Sequence, residues 1–418
     1  MRRGGSIGKL DVDASKDESL PYKADFVVDY YKEQNQVFEE AWRALNLNFY
    51  DPDFHGRDFD ALKAKYKPWA MQTSAKPDFQ TIYNEMLGQI NASHMGLYGV
   101  PDRAETQKDN TGLLGIEIEP VTNGIKVVRV IPNTPADKES SKLFEGDVIK
   151  SVDGNKITAD VNFYQFFNKK ADEKVLLTVE GNDGDEREVV IRPTNSVRND
   201  LYDEWVEERR QLTEKYSNGK LGYVHIRGMN MPSFEEFERE LTASGLGKDG
   251  LVIDVRYNGG GWTTDYLMTV LNYKQHAYTI PRGAAENLEK EKTKFRDYYP
   301  LGERLPFAAW IKPSIAVCNQ NSYSNAEIFS HAYKTLGIGT LVGTPTFGAV
   351  ISTGGQGLVD GSYVRLPGRG WYVKADDKNM DFHGAVPDII IDNAPDSKSK
   401  GEDPQLKRAV DELLKQLD

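Results

Sequence analysis

The sequence is poor in the residues that hold metals, disulfides and nucleic acids. It contains one cysteine, Cys318, among 418 residues. One thiol cannot form an intrachain disulfide framework, and it excludes multi-thiolate zinc and iron–sulfur sites. The six histidines (His55, His94, His225, His276, His331 and His383) are scattered, and none falls into an HExxH or comparable metal spacing. No metal and no cofactor is therefore expected. Basic residues are outnumbered, with 52 Lys and Arg against 64 Asp and Glu, a formal charge of -12. Nucleic-acid binders normally carry a basic face, so no nucleic-acid partner is expected. No apolar run approaches the roughly 20 residues that span a bilayer. The basic pair in Met1-Arg2-Arg3-Gly4-Gly5-Ser6 is not followed by an apolar stretch, unlike a secretory leader. A cytoplasmic location is the corresponding expectation.

What is present suits a chain with several packed cores. Its length allows roughly two to four domains. Residues 1–25 are polar and read as a tail or linker stump. Phe38, Ala41, Trp42, Leu45 and Phe49 then recur at three- and four-residue steps, the period of a helix with one buried face. Phe59, Leu62 and Tyr66 predict a second helix ending near Pro68. Phe79, Ile82, Tyr83, Met86, Leu87 and Ile90 predict a third, which stops at Asn91-Ala92-Ser93-His94.

From about residue 110 the texture changes to short strands and turns. Gly112-Leu113-Leu114-Gly115, the strand Ile125–Val130, Pro135-Ala136 and Gly146-Asp147-Val148-Ile149 follow one another in an order that resembles a PDZ domain. The resemblance implies that Gly112, Leu113, Leu114 and Gly115 form a peptide-binding loop, whose N–H groups capture a carboxylate beside an exposed strand edge. Arg198–Tyr216 reads as a charged helical connector. Leu221–Ile226, Leu251–Val255, Ile315–Cys318 and Thr340–Val342 are apolar strand candidates separated by helical patterns, the signature of an α/β domain.

Two strand-to-helix joints could carry chemistry. Asp254-Val255-Arg256-Tyr257-Asn258-Gly259-Gly260-Gly261-Trp262 is Gly-rich. It lacks the Gly-Lys-Ser/Thr end of a phosphate loop and the spacing of a dinucleotide loop. An oxyanion hole and a plain tight turn remain. The second joint is Asn319–Phe329. Ser324-x-x-Glu327 is a capping box, so Ser324 could be only an N-cap. A serine at a helix start also lies beside free N–H groups that favour developing negative charge. Such a nucleophile needs a base, and His94, His331 and His383 all stay open on composition and spacing.

Taken together, these residues resemble the tricorn protease family, over about Val37 to Leu417. Phe38–Arg43 and Asn48–Asp51 look like the opening of its helical subdomain. Met86–His94 looks like its Ser-His segment, Ile253–Gly261 like its oxyanion strand and turn, and Asn319–Phe329 like its nucleophile segment. Leu341–Gly348 and Gly401-Glu402-Asp403-Pro404-Gln405-Leu406 also match. The resemblance implies a serine endopeptidase acting on unfolded polypeptides or oligopeptides through an acyl-enzyme. Ser324 would be the nucleophile and His94 the base, with Ser93 and Asp381 orienting His94. The N–H groups of Gly261 and Asn325 would form the oxyanion hole. The related C-terminal processing peptidases use a lysine shortly after Thr-Phe-Gly, and here Ala349 follows Thr346-Phe347-Gly348, which favours the histidine scheme.

The sequence departs from the family in three places. Asp381 stands where the family has Glu, with Asp376 and Asp377 as neighbouring substitutes. Asn325 stands where it has Asp. Tyr278-Thr279-Ile280-Pro281 lacks the acid that suits basic P1 side chains, so no such preference is carried over. A non-catalytic peptide- or ligand-binding module on the same fold is the alternative. The expected architecture is an α/β multidomain chain: tail 1–25, N-terminal helical subdomain 26–105, PDZ-like β domain 106–195, helical connector 196–218 and crotonase-like α/β catalytic core 219–418. The family's ring assemblies make a homo-oligomer a further expectation.

Overall fold

The computed structural model describes residues 7–20, 27–99, 109–158, 160–275, 277–296 and 309–417. His276 lies outside them. The chain divides into two compact units, Met1–Pro101 with Ile351–Gly370, and Asp102–Val350 with Trp371–Asp418.

In the first unit, Ile7–Asp11 (β1) and Lys16–Leu20 (β2) pair antiparallel in a hairpin whose strand residues are all exposed. The polar composition that reads as a tail thus folds locally without burying anything. Three helices follow, Tyr30–Asn48 (α1), Phe59–Ala70 (α2) and Lys76–Gly88 (α3). Asp29 caps α1 by accepting from Lys32 N–H, and Asp58 caps α2 by accepting from Ala61 N–H. Helix α2 continues two residues past Pro68, because that proline sits in the last turn, where Met71 N–H still closes on Lys67 O at 3.0 Å. The apolar stripe of α1 (Val37, Phe38, Ala41, Leu45) packs on Phe79, Tyr83 and Met86 of α3. Phe54 stacks on Phe49 and Phe59, at centroid distances of 5.0 and 4.3 Å.

This helical core is completed from far along the chain. Ile351–Gly357 (β14) and Tyr363–Gly370 (β15) form a hairpin, and β15 pairs antiparallel with Gly96–Tyr98 (β3). Leu358, Val364 and Leu366 enter the same core as Phe38 and Tyr83. Sequence reading leaves this hairpin inside the α/β core. The structure assigns it to the helical unit, whose α1 and α3 would otherwise expose apolar surface.

In the second unit, Ile116–Val121 (β4), Gly124–Val130 (β5), Val148–Val152 (β6), Asn155–Lys156 (β7), Val175–Glu180 (β8) and Glu186–Ile191 (β9) make an antiparallel sheet of order β4-β5-β6-β8-β9, with β7 paired to β6. Leu114, Val127, Ile149, Phe167, Leu177 and Ile191 share its core. The connector is a helix, Arg198–Ser217 (α4). A parallel sheet follows, with strand order Leu221–His225 (β10), Gly250–Asp254 (β11), Ser314–Cys318 (β12), Leu341–Gly343 (β13) and Ile389–Ile390 (β16). Its strands read as continuous apolar runs because both faces are covered. Leu251, Ile253, Ala316 and Cys318 face Met231–Gly245 (α5), Thr264–Leu271 (α6) and Asn325–Thr335 (α7). The alternate residues Val252, Ile315 and Val317 face Pro404–Leu417 (α8) and α4.

A buried ion cluster locks α8 to the sheet. Arg256, 1% exposed, donates to both carboxylate oxygens of Asp254 and, at 2.9 Å each, to both of Asp403. Tyr223 Oη adds a bond to Asp254 at 2.9 Å. Burial acts upward on the Asp403 carboxyl, but the Arg256 charge together with hydrogen bonds from Arg256, Leu406 N–H and Asn393 outweighs it and holds the group below the ordinary aspartate range.

Two outcomes follow from this packing. Leu366→Ala should cost about 2–5 kcal/mol and raise amide exchange in α1 and α3 while β11 and β12 stay protected. Arg256→Met leaves buried Asp254 without its cation and Asp403 with only Arg209, whose Nε lies 3.4 Å away, and should lower stability by about 3–5 kcal/mol in denaturant titration.

Candidate active site

The parallel sheet presents two turns at the carboxyl ends of adjacent strands, β11 and β12, where open α/β sheets bind their ligands. Ser324 ends the second turn. Its backbone lies at φ 57° and ψ -119°, and α7 begins at the next residue. A serine held at positive φ between a strand and a helix has the conformation of a nucleophile elbow, which lifts the side chain off the sheet edge. The first N–H of the helix, at Asn325, has no carbonyl one turn back to bond.

The glycine turn lies directly against this serine. A Cβ on Gly260, at φ +87°, would stand 2.6 Å from Ser324 Cβ and 2.6 Å from Tyr323 O. A Cβ on Gly261, at φ +145°, would stand 1.9 Å from Met229 O. Only glycine fits at either position. The N–H groups flanking Gly261 are used within the turn. Gly260 N–H donates to Asn258 Oδ1 at 2.9 Å and Trp262 N–H to Met229 O at 2.8 Å. Tyr323 N–H donates to Asn258 O at 2.9 Å, so both turns share one residue. Asn325 Oδ1 accepts from Thr264 N–H and Thr264 Oγ1, both at 3.0 Å, which ties the starts of α6 and α7 together.

Glu327 does more than close the capping box. One of its oxygens accepts from Ser324 N–H and Ala349 N–H, at 2.9 Å each. The other accepts from Thr346 Oγ1 at 2.8 Å and Gly348 N–H at 2.5 Å. Its side chain is fully buried, and burial lifts its carboxyl above the ordinary glutamate range against the pull of these donors. Spacing reveals the Ser324 bond but not the others, because Thr346 is 19 positions away.

Asp381 is also buried, at 1% exposure, and its Oδ1 accepts from Val350 N–H at 2.9 Å. The neighbouring Asp376 and Asp377 are exposed, and Asp376 pairs with Lys378. His383 is exposed, with Nδ1 3.0 Å from Asn379 O. His331 lies seven residues beyond Ser324 on one helix, about 10 Å along its axis. Burial lowers its pKa, and its Nε2 is 3.4 Å from Thr335 Oγ1.

Ser93 and His94 belong to the first unit, in the loop between α3 and β3. Ser93 Oγ lies 2.7 Å from His94 Nδ1. His94 is 7% exposed and has φ 61°, an uncommon backbone for a histidine. Two contacts brace this loop. Asn84 bonds Leu97 N–H and O, at 2.8 and 3.2 Å, and His55 Nδ1 donates to Ile90 O at 3.2 Å.

In the PDZ-like sheet, Gly112 N–H donates to Phe167 O and Leu113 N–H to Thr194 O, each at 2.8 Å. Two of the four residues expected to form a peptide-binding loop thus spend their donors inside the domain. Leu114 and Gly115 offer carbonyls to Ala136 and Ile131, at 2.9 Å each. Among the described residues, no group of three or more His, Cys, Asp or Glu could hold a metal ion. No helix there is long and apolar enough to cross a membrane.

Three family models match the chain in order. The tricorn protease C1 domain covers residues 30–88, the tricorn protease PDZ domain 112–196 and peptidase family S41 220–391. The proposed tricorn-like protease C-terminal subunit of Sulfurisphaera tokodaii is 30% identical over 94% of this chain and 44% of its own length. The tricorn protease of Thermoplasma acidophilum is 27% identical over 94% of this chain and 36% of its own. The chain therefore spans less than half the length of these relatives. The crystal structure of the tricorn protease superposes with a TM-score of 0.84 at 24% identity, covering 99% of this chain and 40% of that one. The tricorn protease C1 and PDZ domains and the S41 peptidase domain thus match this chain in sequence order, and its fold is that of the tricorn protease.

Proposed function

We propose that this chain is a serine endopeptidase that hydrolyses peptide bonds of unfolded polypeptides or oligopeptides through an acyl-enzyme on Ser324. The observation that carries this reading is the elbow itself. Ser324 sits at φ 57° on a helix start, with Gly260 packed against its Cβ. A tetrahedral intermediate needs N–H donors aimed at its oxyanion. The Gly261 and Asn325 N–H groups flank the serine on its two turns and serve that purpose.

His94 acts as general base. In this scheme its Nδ1–H donates to Ser93 Oγ, 2.7 Å away, and its Nε2 takes the Ser324 proton and returns it to the leaving amine. Asp381 supplies the buried negative charge that favours the imidazolium. Water then attacks the acyl-enzyme by the same route in reverse. The exposure of Asp376 and Asp377 favours Asp381 as the acid.

A fluorophosphonate probe with peptide mass mapping tests the assignment. Wild type should be labelled at Ser324, Ser324→Ala should not be labelled, and His94→Ala should react about 100- to 10,000-fold more slowly. Equal rates in wild type and His94→Ala would remove the histidine from the mechanism. Gly260→Ala forces a methyl into Ser324 Cβ and should slow labelling about 100-fold, because ångström-scale displacement of a nucleophile has that cost.

A further inference from the structure

Glu327, Thr346, Gly348, Ala349, Val350 and Asp381 form one continuous chain of bonds. The segment Thr346–Val350 gives two of its N–H groups, Gly348 and Ala349, to Glu327. It gives the next, Val350, to Asp381. Thr346 Oγ1 donates to Glu327 and accepts from Ala385 N–H at 2.8 Å, four residues beyond Asp381. A second rung joins Thr346 N–H to Ala385 O at 3.1 Å. Opposite, Phe347 N–H donates to Ser322 O at 3.1 Å, two residues before Ser324. Gly384 makes the close approach possible, since a Cβ there would meet Thr346 O at 2.4 Å.

Resting on the nucleophile reading above, we propose that Thr346–Val350 is a tether that fixes the acid Asp381 relative to Ser324, with Glu327 as its positioning residue. The carboxylate is the right group for the role. Each of its oxygens takes two donors, and all four donors are N–H or O–H groups, which a carboxylate accepts on both oxygens at once. An amide in its place turns one oxygen into a donor and sets it against two others. Breaking the junction therefore releases the Ser324 amide and the loop that orients Asp381 in one event. Neither Glu327 nor Thr346 touches the reacting atoms in this scheme, so both act on turnover rather than on substrate affinity.

The experiment compares wild type with Glu327→Gln, Thr346→Val and Thr346→Ser. Amide exchange reads the tether without any activity. The Gly348, Ala349 and Val350 amides should exchange slowly in wild type and Thr346→Ser, and should lose protection together in Glu327→Gln. In the same samples, fluorophosphonate labelling and kcat should fall about 100-fold in Glu327→Gln, with KM within about two-fold. Thr346→Val should fall in the same direction and Thr346→Ser should recover. Wild-type labelling rates in both Glu327→Gln and Thr346→Val, or independent loss of the three amides, would overturn the proposal. If Glu327→Gln does not fold, the Thr346→Val and Thr346→Ser pair decides. Protected amides in a wild type that takes no label would sink the Ser324 assignment and leave the tether standing.

Discussion

A guanidinium with 1% exposure constrains everything at the carboxyl edge of the parallel sheet. Arginine does not lose its charge inside a protein, so it must be enclosed by acceptors. Arg256 meets that demand with Asp254, two residues back at the end of β11, and Asp403, at the entry to α8. Gln405 Oε1 adds a further acceptor at 3.2 Å. The glycine turn starts at Arg256, so its first residue is pinned by the side chain. Its backbone is pinned as well. His225 Nε2 lies 2.9 Å from Arg256 O, and a carbonyl can only accept, so that nitrogen carries the proton. Nδ1 then accepts from Tyr202 Oη at 2.7 Å. Burial lowers the His225 pKa, which keeps the imidazole in this neutral form.

A turn anchored this firmly can hold positions that would otherwise relax. Gly260 and Ser324 both have positive φ, and each occupies the space that a larger or differently placed neighbour would need. Backbone strain persists only where the surroundings over-determine it. Here they do so through bonds that cross between the two turns: Tyr323 N–H to Asn258 O, and Ser322 Oγ to Val255 O at 2.8 Å. The backbone on both sides of the serine is therefore held in place, and in the proposed scheme such fixed donors are the condition for stabilising charge without reorganisation.

Much of this was legible in the sequence wherever the cause is local. The stripe from Phe38 to Phe49 predicts α1, and the apolar runs at Leu221, Leu251 and Ile315 predict β10, β11 and β12, because burial on one or two faces writes its own period. The Ser324–Glu327 box was equally visible. What periodicity does not encode is partnership across long separations. Arg256 and Asp403 are 147 positions apart, and Glu327 and Ala349 are 22. The hairpin at 351–370 carries an ordinary strand pattern that does not say which core it closes. The two-residue β16 is too short to leave a pattern at all.

At Asn325 and Asp381, where the resemblance leads one to expect Asp and Glu, backbone anchoring matters more than side-chain identity. Asn325 keeps an oxygen where aspartate would have one. That oxygen accepts from Thr264, a bond to which a carboxylate and an amide oxygen are equally suited. Its N–H is untouched by the exchange. Asp381 is one methylene shorter than glutamate, and side-chain length alone would withdraw its carboxylate. Its Oδ1 is instead directed by Val350 N–H, while its own N–H donates to Asn379 Oδ1 at 3.0 Å. The position of the charge is thus set by where the loops around Asp381 are tied. Length lost in one side chain can be recovered by a backbone that is held from both ends.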